Sequence, residues 1–139
     1  MKKTILMALC FCLSATVFAQ KMSKDKNQII TSVEKHKEEL IKISDSIWAL
    51  AETAFDESES SRILADYAEK NGLKVTRGVA DIPTAFTATY GSGSPVISIL
   101  GEFDALPGIS QKASPVKEPY EEGAAGHGCG PNMFGTASL

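Results

Sequence analysis

Cysteine, histidine and tryptophan are scarce in this chain, which has three, two and one of them among its 139 residues. Basic residues are also in the minority, 14 against 17 acidic ones, so the net charge is −3. Binding to nucleic acid or to an anionic membrane surface generally requires a basic surplus, and this charge balance argues against both. The sequence has no internal repeat and no low-complexity tract, which argues against a repeat architecture.

Long apolar runs are absent except near the amino terminus, where residues 5–18 are predominantly apolar. Two lysines precede this run and small residues end it at Ala19, as in a secretory signal peptide. A membrane anchor is the alternative, but the run is shorter than the roughly 20 residues that span a bilayer. We therefore predict a signal peptide over 1–19, a mature domain over 20–139, and export to the periplasm or the medium, with no membrane attachment after cleavage.

Cleavage would leave 12 basic and 17 acidic residues, a net charge of −5, and one cysteine, Cys129. A single cysteine cannot form an internal disulfide. An unpaired thiol in an exported chain therefore indicates a metal ion or a partner.

Residues 132–139 are typical of a helix that has begun and that lacks a cap or a stop signal. A polar, frayed tail is the commoner ending of a protein chain. We therefore expect this chain to be the amino-terminal fragment of a larger protein.

Two amphipathic helices are predicted. In residues 24–55 apolar side chains recur at helical spacing, with charged residues between them: Ile29, Val33, Leu40, Ile47 and Ala51. Residues 56–60 break this pattern and can cap a second helix, which Asn71 and Gly72 end. The apolar face of that helix consists of Ile63, Leu64, Tyr67 and Ala68.

Strands follow the helices, so the fold class is predicted to be α/β. Residues 73–77 and 85–90 alternate as strands do, and residues 96–100 are almost continuously apolar. The last pattern favours a central strand covered on both faces. Residues 108–126 form a loop long enough to have a function of its own.

The first candidate site follows the third predicted strand. Glu102 and Asp104 are two residues apart, so on an extended chain they point to the same side. Ligands bind at the carboxyl edge of open α/β sheets, where two carboxylates could bind a metal ion or do acid–base chemistry. A turn in which Asp104 caps backbone amides is an equally good interpretation.

The second candidate site is the glycine-rich turn over residues 126–132, which contains His127 and Cys129. Cysteine and histidine are natural zinc ligands, and glycine lets the backbone pass close to an ion. A cysteine before a helix also suits a nucleophile, and a tight turn with an incidental thiol accounts for the pattern as well.

The two candidate sites in this order, about 25 residues apart, make the mature chain resemble the start of the M20 family of metallopeptidases and amidohydrolases. The resemblance runs through residues 47–55, 82–86, 101–111 and 126–139. It implies a zinc-exopeptidase-like three-layer domain with a mixed sheet, of which this chain holds the amino-terminal part. It also implies an enzyme that hydrolyses an amide bond of a small N-acyl or aminobenzoyl amino acid and assembles with a copy of itself or with a paralogous subunit.

The resemblance also assigns roles to residues. Cys129 matches a ligand of a divalent metal ion, zinc or manganese, and Asp104 matches an aspartate of the catalytic centre. Glu102 falls where wider relatives keep a histidine ligand, so the resemblance gives it only a weak metal role. His127 matches a motif position that is not usually assigned as a ligand, and both residues are taken as supporting ones. The family pattern has a second histidine ligand two residues after the cysteine, where this chain has Pro131. The base glutamate and the remaining ligands lie further downstream in the family.

Because proline has no metal-binding donor, we expect this polypeptide alone to hydrolyse nothing. The alternative function is a non-catalytic binder or subunit partner that retains the amidohydrolase surface. Cysteine nucleophile chemistry at Cys129 is a third hypothesis, disfavoured because His127 is only two residues away on a turn.

Overall fold

A computed structural model describes residues 23–139, so the signal peptide predicted over 1–19 lies outside the described residues. The described residues divide into two units, one that ends at His36 and one over Lys37–Leu139. In chain order the elements are α1 (Lys24–Leu50), α2 (Ser58–Lys70), β1 (Lys74–Arg77), a 3-10 turn (Val79–Asp81), β2 (Phe86–Thr89) and α3 (Pro131–Ala137). Within residues 23–139, no helix combines the length and the apolar character needed to cross a bilayer.

In the first unit, the structure describes the start of α1. The Lys26 N–H donates to Ser23 Oγ at 3.2 Å, which satisfies one of the backbone donors that a helix leaves unpaired at its amino terminus. Ile29 and Val33, predicted to lie on the apolar face, are 63% and 55% exposed. This part of the predicted apolar face is therefore not buried.

In the second unit, α1 continues to Leu50, and Ile43 and Ile47 are its buried residues. The helix ends before residue 55, where the sequence pattern placed its end, because Ala51 has a φ of 46°. A left-handed residue cannot continue a right-handed helix. The predicted helix is confirmed and its predicted end is wrong by about one turn.

The second predicted helix is confirmed as α2, with Leu64, Ala65 and Ala68 buried on one face. Its carboxyl end is a Schellman motif, in which the Gly72 N–H donates to Glu69 O at 3.0 Å and the Leu73 N–H to Ala68 O at 3.1 Å. These bonds pair carbonyl groups that a helix end otherwise leaves free.

The two strands β1 and β2 pair antiparallel, with Val75 opposite Ala88. Helix α2 packs against both strands, and Ser61 Oγ of α2 donates to Thr84 O at 2.6 Å in a buried position. The core of this unit centres on Ile43, Ile47 and Leu64, with Ile63, Tyr67, Phe86 and Phe103 packed around it.

The predicted third strand over residues 96–100 is wrong for the described part of the chain. Its residues have neither helical nor strand structure, and Val96, Ile97, Ile99 and Leu100 are between 75% and 85% exposed. A buried central strand needs a hydrogen-bonded neighbour and a covered face on each side. Residues 23–139 supply neither, so their sheet is a two-stranded antiparallel one, and the expected mixed sheet is not found in them.

After this exposed segment, Phe103 packs against the core. Helix α3 lies close to the backbone of residues 101–103: a side chain built at Gly135 would meet Phe103 Cβ at 2.8 Å and Glu102 O at 3.1 Å. Only glycine permits this approach. The coarse prediction of helices together with strands is confirmed, and the zinc-exopeptidase-like architecture stays a prediction.

Candidate functional site

The two candidate sites are joined by backbone hydrogen bonds at Leu106 and Gly126. The Leu106 N–H donates to Gly126 O at 2.9 Å and the Gly126 N–H donates to Leu106 O at 3.0 Å. This reciprocal pair is an isolated antiparallel bridge. It places the segment that contains Asp104 beside the turn that contains His127 and Cys129.

A second bridge fixes the same segment to the chain that follows α1. Ala105 pairs in parallel with Thr53, and the Ala105 N–H donates to Glu52 O at 2.7 Å. Ala105 itself is 1% exposed. The backbone between Asp104 and Leu106 is therefore held from both sides.

His127 lies at the start of the glycine-rich turn and is 4% exposed. Its Nε2 is 3.0 Å from Ile47 O in α1. A carbonyl oxygen only accepts, so Nε2 is the protonated nitrogen that donates this bond. The His127 ring is also 6.0 Å from the ring of Trp48, centroid to centroid. Its Nδ1 is buried and makes no hydrogen bond with the described residues.

Asn132 lies at the other end of the turn, in the first turn of α3, and is 5% exposed. Its Nδ2 donates to Ser44 Oγ at 3.0 Å and to Ser44 O at 3.3 Å. Its Oδ1 is buried and finds no donor in the described part of the chain. Both ends of the turn are thus bonded to α1.

The other predicted site residues differ in exposure. Cys129 is exposed and is a free thiol, Glu102 is exposed, and Asp104 is partly exposed. Pro131 is buried as the first residue of α3, a position that suits proline because the missing N–H would have no partner there. The structure thus gives Pro131 a helix-starting position.

The donor set for a metal ion is incomplete. Protein zinc sites have three or four protein ligands, and no group of three or more His, Cys, Asp or Glu side chains among residues 23–139 is placed to hold an ion. The described residues therefore do not form a metal centre by themselves. We derive no metal-dependent catalytic step from these residues alone. The roles assigned to Asp104, Cys129, Glu102 and His127 stay predictions.

Glu52 is a residue of this region to which the sequence pattern assigned no role. Its carboxylate accepts hydrogen bonds from Ser60 Oγ at 2.7 Å, from the Ser60 N–H at 2.8 Å and from the Glu59 N–H at 3.1 Å. It thus caps the amino end of α2 from the preceding segment, whereas residues 56–60 were expected to supply the cap. Glu57, at the N-cap position, makes no side-chain capping bond.

These contacts shift the pKa of Glu52. Partial burial raises the pKa of this carboxyl group, but the hydrogen bonds from the Ser60 hydroxyl and from the Ser60 and Glu59 amides outweigh it. The net result is a pKa below the ordinary value, since donors stabilise the charged form. An acidic residue a few positions before a predicted helix start is the sequence signal that would have indicated this cap.

Comparison with known proteins adds one relative, the B subunit of p-aminobenzoyl-glutamate hydrolase from Escherichia coli (strain K12), to which the chain is 44% identical over 109 residues. The chain is a relative of this hydrolase subunit. The aligned stretch is 78% of the chain and 23% of the subunit, so the chain spans about a quarter of the length of the curated relative it matches. No protein-family model matches the chain.

The resemblance read from the sequence motifs is confirmed at the level of this hydrolase subunit. Membership of the wider M20 family stays a prediction. The relationship covers most of this chain and a minor part of the relative, so the relative's activity comes to this chain only as a proposal.

Proposed function

We propose that this chain provides part of an exported, metal-dependent amidohydrolase of the M20 type that acts on p-aminobenzoyl-glutamate or a similar N-acyl amino acid. The observation that carries the proposal is the 44% identity over 109 residues to the E. coli hydrolase subunit. The bridge between Leu106 and Gly126 supports it, because it joins the two segments that hold the proposed site residues.

In this proposal, Cys129 is a metal ligand and Asp104 belongs to the catalytic centre, with Glu102 and His127 in supporting positions. The ion, zinc or manganese, would activate water for attack on the amide carbonyl. The remaining ligands and the general base would come from outside residues 23–139, since those residues hold no group of three donors. The isolated chain is therefore proposed to be inactive.

A chimera tests this proposal. The matched stretch of the E. coli hydrolase subunit is replaced by its counterpart from this chain, with and without Pro131→His, in cells whose own gene for that subunit is deleted. Hydrolysis of p-aminobenzoyl-glutamate is then measured in extracts. We expect no activity with Pro131, which has no donor atom, and activity with the histidine.

Two controls complete this experiment. Cys129→Ala in the Pro131→His chimera should abolish the restored activity, because it removes a proposed ligand. The isolated chain should release no product with zinc or with manganese. A Pro131→His chimera that folds and remains inactive would contradict the proposed function.

A non-catalytic role is the second candidate, and the buried position of Pro131 at the start of α3 favours it. In this case the chain acts as a binder or as a subunit partner, and the relative's printed name is itself that of a subunit. Isothermal titration calorimetry separates the two roles. Binding of p-aminobenzoyl-glutamate by the isolated chain without turnover would support the second role, and absence of binding would count against it.

A further inference from the structure

The turn between His127 and Asn132 is bonded at both ends to one face of α1. The two acceptors on the helix, Ile47 O and Ser44 O, are three residues apart, and residues at this spacing lie on the same side of a helix. The partners are 80 and 88 residues apart in sequence. Two long-range side-chain contacts therefore enclose a turn of four residues.

The backbone of this turn is closed by a hydrogen bond of its own, from the Gly130 N–H to His127 O at 3.2 Å. Glycine at positions 128 and 130 gives it more conformational freedom than other residues would, and Gly130 has a φ of 78°. Cys129 lies between these two glycines and is exposed. One internal bond leaves the turn free to move as a whole, so the position of the thiol also depends on what fixes the two ends of the turn to the rest of the fold.

Both anchoring residues carry an unsatisfied polar atom. His127 Nδ1 and Asn132 Oδ1 are buried and have no hydrogen-bond partner among the described residues. Apolar side chains could fill the same volume without leaving such atoms unpaired, and buried unpaired groups are rare in native proteins because they cost stability. Polar residues at these two positions indicate that their bonds to α1 have a purpose beyond packing.

We propose that His127 and Asn132 are positioning residues that lock the Cys129 turn onto α1 and so fix where the Cys129 thiol stands. This inference rests on the proposed function, in which Cys129 is a ligand, and it assigns to His127 a role that needs no direct contact with a metal ion. Helix α1 then holds the turn in place, because Ile47 O and Ser44 accept the hydrogen bonds of His127 and Asn132.

Nitroxide labelling at Cys129 tests the proposal. The full chain carries Cys10→Ser and Cys12→Ser so that only Cys129 is labelled, and the electron paramagnetic resonance line shape reports the mobility of the turn. We expect restricted motion in this parent. His127→Ala and Asn132→Ala should each shift the spectrum toward sharp, mobile lines.

A conservative variant and a matched control separate the loss of a specific hydrogen bond from a general loss of stability. His127→Gln keeps an N–H donor for Ile47 O and should restore much of the restricted line shape. Ser138→Ala is the matched control, since it removes a hydrogen bond from the far end of α3, where Ser138 Oγ donates to Phe134 O at 2.8 Å, and it should leave the spectrum unchanged.

The line shapes of the variants support or overturn the positioning role as follows. Mobile spectra in both alanine variants with recovery in His127→Gln support the proposal, and spectra equal to that of the parent overturn it. If an alanine variant does not fold, by circular dichroism, the decision passes to Ser44→Ala. This variant removes the shorter of the two hydrogen bonds of Asn132 Nδ2 and keeps the one to Ser44 O, so it is read together with His127→Phe, which keeps a ring and removes the donor to Ile47 O. A more mobile label in either variant supports the proposal, and an unchanged label in both overturns it.

Failure of this proposal is distinguishable from failure of the proposed function. An inactive Pro131→His chimera, together with a Cys129 label that is restricted in the parent and mobile in the two alanine variants, contradicts the function and supports the positioning role. An active chimera with no response of the label to these variants contradicts the positioning role alone.

Discussion

Ile47 and Ile97 are the same side chain in two regions with opposite surroundings. Ile47 of α1 is fully buried in the core with Ile43 and Leu64, whereas Ile97 is 85% exposed on the segment that follows β2. Both were predicted to be buried, the first on a helix face and the second on a central strand. The difference is that a helix makes its own backbone hydrogen bonds, whereas a strand needs neighbours for its own.

The largest expected effect is the difference in stability between alanine variants of the two isoleucines. Ile47→Ala should destabilise the fold by about 2–5 kcal/mol, the usual cost of such a cavity in a core. Ile97→Ala removes the same atoms from an exposed site and should change stability by less than about 0.5 kcal/mol. Urea unfolding of both variants measures the two values. Equal losses would show that residues 96–100 are packed in solution.

The intermediate effect concerns the cap of α2. Glu52→Gln should cost about 1 kcal/mol, as the loss of a capping residue does, because a neutral amide accepts more weakly than a carboxylate from the Ser60 and Glu59 amides. Glu57→Gln is the matched control, since Glu57 stands at the N-cap position without a capping bond. It should cost clearly less than Glu52→Gln.

The pH dependence of the Glu52 contribution follows from its lowered pKa. The unfolded carboxyl group titrates near its ordinary value of 4.5, and the folded one titrates lower. The stabilisation is therefore complete above the unfolded pKa and is lost as the pH falls through the folded pKa. Urea unfolding between pH 7 and pH 3 should show the wild type and Glu52→Gln converging at the acid end. A constant difference over this range would contradict the cap.

The local signals of the sequence predicted the two long helices and the first two strands well. Helical spacing indicated α1 and α2, and Asn71 with Gly72 marked the end of α2. These features depend on neighbours in sequence. The position where α1 ends depends on the backbone of Ala51, for which spacing gave no signal.

The candidate site was only partly predictable. The residues of the glycine-rich turn were singled out, but the bonds that fix it to α1 join residues 80 and 88 positions apart, and pattern reasoning cannot find such pairs. Glu52 was missed for a different reason, since its partners are only seven and eight residues away and an acidic residue shortly before a helix start is a usable signal. The strand over 96–100 failed for the opposite reason, since its local pattern was strong and the described residues contain no partner for it.

The smallest effect on folding, and the sharpest test of the exposed region, is expected from Ile97→Lys combined with Ile99→Lys. These side chains are 85% and 75% exposed, so charging them should leave the free energy of unfolding within about 0.5 kcal/mol of the wild-type value. An exposed apolar segment of β-prone residues without charge is a site of self-association. Light scattering during incubation should therefore show slower aggregation for the double variant.

Ile43→Lys combined with Ile47→Lys is the matched contrast to that double variant. Both isoleucines are buried in α1, so the same two substitutions should unfold this unit, because an unpaired charge in an apolar core is strongly unfavourable. Charge would then slow aggregation at 97 and 99 and promote it at 43 and 47, since unfolding exposes the core. If the lysines at 97 and 99 instead unfold the chain, residues 96–100 are buried in solution, and the contrast between the two regions disappears.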